Sequence, residues 1–338
     1  MSGSPQDPRD GPLLAVENLR THFHTERGVV RAIDGVSFTL DRGRTLGVVG
    51  ESGSGKTVLV RTLLGLLPST AHVGEDARVM FDGRALDIRS EKALRRVRGR
   101  HIAMVLQDPM TSLNPVMTVG AQIMESLRYH LGMGRGAARE RAVALIESVG
   151  IPMPARRVDQ YPHQLSGGLR QRIAIAIALA CEPKLLIADE PTTALDVTIQ
   201  AEILDLLARQ QAERHMAMIL ITHDLGVVAG RTDDIAVMYA GKIVERAPTA
   251  RLFTAMRMPY TRALMDSIPR LEAPPNTPLK TIGGRPPDLI DPPAGCRFAP
   301  RCARADDKCH RAEPPLAGAE AGHQFACWRP LDTAEATP

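Results

Sequence analysis

The segment Gly50-Glu51-Ser52-Gly53-Ser54-Gly55-Lys56-Thr57 restricts the fold of this chain more than any other stretch. It follows Thr45-Leu46-Gly47-Val48-Val49, an apolar run of the kind that forms a strand buried on both faces. It precedes Lys56 to Leu67, where apolar residues recur at helical spacing until Pro68 stops them. Strand, glycine loop and helix in this order fit G-x-x-x-x-G-K-S/T, whose backbone N–H groups can surround a phosphate chain. A second glycine element, Leu165-Ser166-Gly167-Gly168, lies far downstream. Its N–H groups and Ser hydroxyl could reach the same ligand only if two such chains faced each other. The two elements together predict a dimeric, ATP-driven machine.

The rest of the chain reads as α/β. From Leu13 to Leu40, short apolar alternations such as Val29 to Ile33 and Val36 to Leu40 predict antiparallel strands. Buried strands are expected at Ile102 to Leu106, Leu185 to Ala188, Met218 to Ile221 and Ile235 to Tyr239. Helices are expected at Val119 to Leu131, Ala137 to Val149, from Leu165-Ser166-Gly167-Gly168 through Ala180, and from Val197 to about Ala212. Alternating strands and helices imply a mainly parallel sheet covered on both faces. The boundaries follow: a disordered tail at 1–12, a nucleotide-binding domain at 13–250 with a helical subdomain at about 108–182, and a C-terminal extension at 251–338. The extension holds an amphipathic helix at Tyr260 to Ile268 and a proline-dense linker from Pro269 to Pro293.

Composition excludes several classes. The 338 residues are 44% apolar, enough for a sizeable core, while a net charge of +4 with 3% aromatic residues argues against a nucleic-acid platform. Ile173 to Cys181, the longest purely apolar stretch, falls short of the ~20 residues of a spanning helix. The polar first dozen residues have no apolar segment of the secretory kind, so a cytoplasmic chain is expected.

The chemistry-bearing residues cluster in order. Lys56 should neutralise the β- and γ-phosphates and Thr57 should bind Mg²⁺. Asp189 and Glu190 end an apolar strand; the first can join a Mg²⁺ shell and the second can orient or deprotonate an attacking water. Four of the five cysteines, Cys296, Cys302, Cys309 and Cys327, follow the spacing C-x5-C-x6-C-x17-C, without a C-x-x-C knuckle. That spacing suits structural zinc, an iron–sulfur cluster or free thiols and does not choose among them. His310 and His323 are substitute ligands, and Cys181 reads as a buried core thiol.

On these residues the chain resembles the nucleotide-binding subunits of ABC transporters, over about Leu13 to Pro248. Residues 50–57 match Walker A (Gly50, Ser52, Gly53, Ser54, Gly55, Lys56 and Thr57 contacting nucleotide), Leu165 to Arg172 the signature, and the strand ending at Asp189 and Glu190 Walker B. Ala194-Leu195-Asp196 resembles the D-loop, Gln107 the Q-loop and His223 the switch histidine. Phe23 stands where an aromatic residue stacks on adenine, although an isolated Phe near a strand reads equally well as core. The resemblance implies a P-loop NTPase fold with an antiparallel β subdomain, a helical subdomain and a cysteine-rich extension. It implies catalytic roles for Glu190, His223 and Lys56, and a Mg²⁺ site of Thr57, Gln107 and Asp189. It also implies that Ser166, Gly167, Gly168 and Asp196 reach a nucleotide, the signature residues acting in trans.

A narrower resemblance, carried by Gln107 to Pro115 (QDPMTSLNP), the segment from Pro259 (PYTRALMDSIP) and Gly295 to Arg301 (GCRFAPR), is to oligopeptide and dipeptide importer ATPases; nickel importers share the layout. It implies a related ATPase partner in a heterodimer, two transmembrane permease subunits and an extracytoplasmic substrate-binding protein. It places the chain peripherally on the cytoplasmic face of the inner membrane, with no nucleic acid, and puts a 4Fe-4S cluster at the four cysteines, with zinc as the alternative. The competing expectation from another class is a soluble ABC ATPase acting on nucleic acid through a zinc-bound cysteine module.

Overall fold

The computed structural model describes residues 11–107, 112–193, 195–268, 280–318 and 322–332. Most of the expected tail, Asp108 to Thr111, Ala194 of the D-loop and the 269–279 part of the proline-dense stretch lie outside them. Strands among the described residues are, in chain order, β1 (Leu14–Thr25), β2 (Gly28–Leu40), β3 (Thr45–Val49), β4 (Ala71–Val73), β5 (Arg78–Phe81), β6 (Arg84–Ala85), β7 (Ile102–Val105), β8 (Leu185–Asp189), β9 (Ala217–Thr222), β10 (Asp234–Tyr239), β11 (Lys242–Pro248) and β12 (Gln324–Phe325). The chain divides into two compact units, one formed by Met1–Leu40, Thr45–Arg89 and Thr222–Pro338, the other by Asp41–Arg44 and Ser90–Ile221.

In the first unit β1 and β2 form a long antiparallel hairpin from Leu14↔Leu40 to Thr25↔Gly28, with β5 and then β6 on the other side of β1 and β4 pairing its far end. Alternate residues face inward: Leu14 and Val16 on β1, and Val36, Phe38 and Leu40 on β2, are buried. That period of two is the pattern of a sheet with one wet face. β3 behaves differently, because all five of its residues are buried. It runs parallel to β10 from Leu46↔Asp234 to Val49↔Val237, and β10 turns back antiparallel into β11, which pairs with β12. Residues 280–293 have no regular structure and none of them is buried. Leu289 accepts a hydrogen bond from the Arg31 N–H at 3.0 Å.

The second unit holds the parallel strands β7, β8 and β9, in register at Ile102↔Leu185 and Leu185↔Ala217. Its main helices are Val119–Leu131, Arg135–Ser148, Gly167–Leu179 and Val197–Arg214. Thr118 caps the first by accepting from Ala121 N–H at 3.3 Å, and Gly132 ends it in the left-handed conformation. Val119, Ile123 and Leu127 form one fully buried stripe on this helix, and Ala138, Ala142 and Leu145 form another on its neighbour. Truncating a side chain such as Leu127 costs about 2–5 kcal/mol, more than any single cap contributes. No helix among the described residues is long and apolar enough to cross a membrane.

Candidate functional site

The glycine loop lies in the first unit. β3 delivers the chain to Gly50, whose φ of 155° and position both demand glycine: a Cβ there would lie 2.2 Å from the Met238 carbonyl oxygen on β10. The loop folds back through a Ser54 N–H to Glu51 carbonyl bond of 3.1 Å and is tied to the β10–β11 turn by Gly241 N–H donating to Ser54 at 2.9 Å. The helix Lys56–Leu63 then begins. Gly55 at its N-cap offers no side chain to cap the first turn. This helix stops four residues before the expected Leu67, where Leu64 and Gly65 leave it. Lys56 is buried, and its Nζ donates to the carbonyls of Gly50 (2.8 Å) and Glu51 (3.1 Å) across the hollow of the loop. The Ser54 hydroxyl is buried without a hydrogen-bond partner among the described residues.

His223 is exposed just beyond β9, where the turn is fixed by Asp224 N–H donating to Thr222 Oγ1 at 3.1 Å. Phe23 lies on β1 opposite Val30 and Ala71 and is half-buried, outside the fully buried core.

Asp189 and Glu190 lie in the second unit. Asp189 ends β8 fully buried, and Glu190 follows with φ 46°, a left-handed conformation that non-glycine residues adopt at a cost of about 1–3 kcal/mol. Its N–H donates to the Ile221 carbonyl at 3.1 Å, fixing the strained residue to β9. One carboxylate oxygen, Oε2, accepts from Gln107 Nε2 at 3.0 Å and from Thr193 Oγ1 at 3.1 Å. The chain thus joins two of the motifs, Gln107 and Glu190, by a direct bond. Thr193 carries no role in the sequence reading, although its place in Glu190-Pro191-Thr192-Thr193 put it one turn from the acid.

Ser166 is exposed at the N-cap of the helix Gly167–Leu179, its Oγ accepting from Leu169 N–H at 3.4 Å, with Gly167 and Gly168 half-buried behind it. Further along, Gln171 is fully buried, and neither its Oε1 nor its Nε2 has a partner among the described residues. Asp196 caps the helix Val197–Arg214 through Ile199 N–H at 2.9 Å, so its carboxylate is already committed to a structural bond. Cys181 is buried as expected and lies 3.6 Å from the Ser126 carbonyl.

The four C-terminal cysteines correct an expectation. Among the described residues no group of three or more His, Cys, Asp or Glu side chains could hold a metal ion, so neither the iron–sulfur cluster nor a zinc site stands. All four are free thiols. Burial above all pushes the thiols of Cys296 and Cys309 up, and that of Cys327 up to about 12. The proposed substitutes are no better placed. His310 is exposed, and His323 is buried with its Nε2 2.7 Å from Glu245 Oε1. Glu245, itself fully buried, also accepts from the N–H groups of Arg257 (2.6 Å) and Met258 (3.2 Å).

Residues 33–193 match the family described as ABC transporter, and residues 244–309 match the oligopeptide/dipeptide transporter C-terminal region. The chain is 50% identical over 316 residues to the oligopeptide transport ATP-binding protein OppD of Bacillus subtilis, covering 94% of this chain and 88% of that one. It is 48% identical over 322 residues to the dipeptide transport ATP-binding protein DppD of Escherichia coli, covering 95% and 98%. Among solved structures it resembles the ATP-binding cassette MJ0796 in a dimeric post-hydrolysis state bound to ADP and Pi, with a TM-score of 0.62 and 25% identity over 70% of this chain and 98% of that one.

Proposed function

The chain belongs to the ABC transporter family, and from that premise we propose how its residues divide the work. It is the ATP-hydrolysing subunit of a di- or oligopeptide importer, acting with membrane permease subunits and a substrate-binding protein. The observation that carries the catalytic reading is the fixed Glu190 carboxylate, strained at its backbone and held by Gln107 and Thr193.

In this reading the loop N–H groups of 50–57 and Lys56 hold the β- and γ-phosphates, a role supported by the glycine-only geometry at Gly50 and Gly55. Thr57, Asp189 and Gln107 supply the oxygen donors that suit Mg²⁺, which when bound offsets phosphate charge. Glu190 orients the attacking water and takes its proton, and His223 contacts the γ-phosphate. Phe23 offers a half-buried ring to adenine. Ser166, Gly167 and Gly168, exposed or half-exposed at a helix start, serve the nucleotide of a related but different ATPase subunit, with Asp196 beside them in the sequence of motifs.

Docking to the permeases falls to the second unit. A surface groove of about 650 Å³ lined by Met117, Ala121, Met124, Tyr129 and Arg135 opens there, with Tyr129 74% exposed. An exposed tyrosine on the rim of a half-apolar groove suits an amphipathic permease helix. We place the subunit on the cytoplasmic face of the membrane through that contact and assign it no nucleic-acid partner.

The test is Glu190→Gln in the assembled transporter. Hydrolysis at this subunit's site should fall at least about 100-fold while ATP still binds. An unchanged rate at that site would remove Glu190 from the catalytic role.

A further inference from the structure

We infer that Arg301, in the C-terminal segment, and Tyr260 are positioning residues that hold the phosphate loop in its nucleotide-binding form. The inference rests on reading 50–57 as the nucleotide site. Its basis is the treatment of one residue, Glu51. The motif leaves this position free, since phosphate contacts come from backbone N–H groups and Lys56.

All three polar groups of Glu51 are nevertheless engaged. Its N–H donates to the Tyr260 hydroxyl at 2.9 Å. Its carboxylate accepts both Nη atoms of Arg301, at 2.6 and 3.0 Å, in a two-pronged pair. Its carbonyl accepts Lys56 Nζ at 3.1 Å.

The clamp itself is rigid. The Arg301 side chain is 3% exposed, and its remaining hydrogens go to the carbonyls of Gly283 (2.8 Å) and Ile282 (3.1 Å) and to the Tyr239 hydroxyl (3.2 Å). Tyr239 and Tyr260 pack ring to ring at 4.5 Å, and Phe298 lies 5.4 and 5.3 Å from them. Tyr239 and Tyr260 are fully buried, so the platform beneath the loop has little freedom. A guanidinium fixed by two backbone carbonyls on one side and a carboxylate on the other transmits the position of residues 282–301 to the second residue of the phosphate loop.

The expected effect is on affinity. If only a fraction of loops is competent to bind, apparent affinity falls by that fraction, whereas bound nucleotide selects the competent form. Loosening the clamp should therefore raise KM and leave turnover at saturation in place.

The experiment uses the full chain assembled with its permeases and partner ATPase, measuring KM and kcat for ATP, equilibrium ATP binding and thermal unfolding. Arg301→Met should raise KM and the ATP Kd about tenfold with kcat within about twofold, Arg301→Lys should lie between it and wild type, and the double variant with Glu51→Gln should bind no more weakly than either single change. A control variant, Trp328→Leu, removes the Nε1 bond to the Ala312 carbonyl elsewhere in the same segment and should leave KM in place. The inference is overturned if Arg301→Met leaves KM unchanged, if kcat falls instead, or if Trp328→Leu shifts KM equally. Should Arg301→Met not fold, Arg301→Lys and Glu51→Gln are read by the same criteria. Lys56→Ala separates the two levels: if that variant binds ATP normally, the phosphate-loop reading fails, whereas its loss beside a wild-type-like Arg301→Met sinks the clamp alone.

Discussion

Replacing Gly50 by alanine tests the construction of the phosphate loop, because Gly53 in the same loop provides an internal reference. At Gly50 the added methyl would lie 2.2 Å from the Met238 carbonyl oxygen and 2.9 Å from Ser54 Oγ, with φ at 155°. Met238 is on β10, paired with Ile243 of β11 and one residue past the last pair with β3, so its carbonyl cannot retreat without loosening the β10–β11 ladder. The backbone conformation alone costs about 1–3 kcal/mol for a non-glycine residue. Overpacking adds about 1–3 kcal/mol. At Gly53, with φ 79° and nothing within 4 Å of the added methyl, the backbone cost of about 1–2 kcal/mol stands alone. Gly50→Ala should therefore destabilise the chain by about 1–3 kcal/mol more than Gly53→Ala in urea unfolding. If the loop instead distorts to relieve the clash, the same free energy should appear as roughly a 5- to 150-fold weaker ATP affinity. Equal losses in both stability and binding for the two variants, within about 0.5 kcal/mol, would refute the geometry assigned to Gly50.

Other residues make separate predictions. Gln171→Met removes two buried polar atoms that lack partners and should stabilise the chain by about 1–3 kcal/mol in the same unfolding assay; a loss of stability would show that Gln171 has a partner. Glu245→Ala strands the N–H groups of Arg257 and Met258 together with His323, and at about 1–3 kcal/mol for each stranded group it should cost at least about 3 kcal/mol. A cost below about 1 kcal/mol would mean that water replaces the carboxylate. With its pKa raised to about 12, Cys327 stays protonated at pH 8 and gains thiolate only well above it, so alkylation at pH 8 should run at least about 100-fold slower in the folded chain than in urea. Equal rates, followed by mass spectrometry of the labelled peptide, would contradict its burial.

Much of the fold was legible wherever one physical pattern dominated. β3 and the helix Val119–Leu131 occupy the ranges expected of them, since a fully apolar run and a strict helical stripe each have one economical burial solution. β11 escaped notice for the opposite reason: Glu245 interrupts its apolar run, and only tertiary partners satisfy that carboxylate. β4, β6 and β12 have two or three residues each, too few to show a period. β1 and β2 are longer than the short alternations suggested, because register shifts let the hairpin continue where the pattern slips. The loop glycines could be read from spacing, since the turn after β3 brings Gly50 against β10 where no side chain fits. The use of Glu51 could not, because Arg301, whose guanidinium its carboxylate accepts from, stands 250 residues away. The cysteines mark the opposite limit: a cluster in sequence does not specify how the side chains are arranged in space, and among the described residues they form no group that could hold a metal ion.

The division of the first unit among three stretches of sequence has a consequence for synthesis. The Thr45 N–H at the start of β3 donates to the Asp233 carboxylate across 188 residues, and β10 begins at the next residue. At about 5–20 residues per second, the ribosome delivers that partner roughly 10–40 seconds after β3 emerges. The strand that carries the phosphate loop must therefore wait in the nascent chain, with an apolar face and open backbone edge, before β10 is available. Almost all of the second unit is contiguous, so it can condense during that interval. The need for chaperone protection should therefore concentrate on nascent chains that have passed Val49 but not yet reached Tyr239.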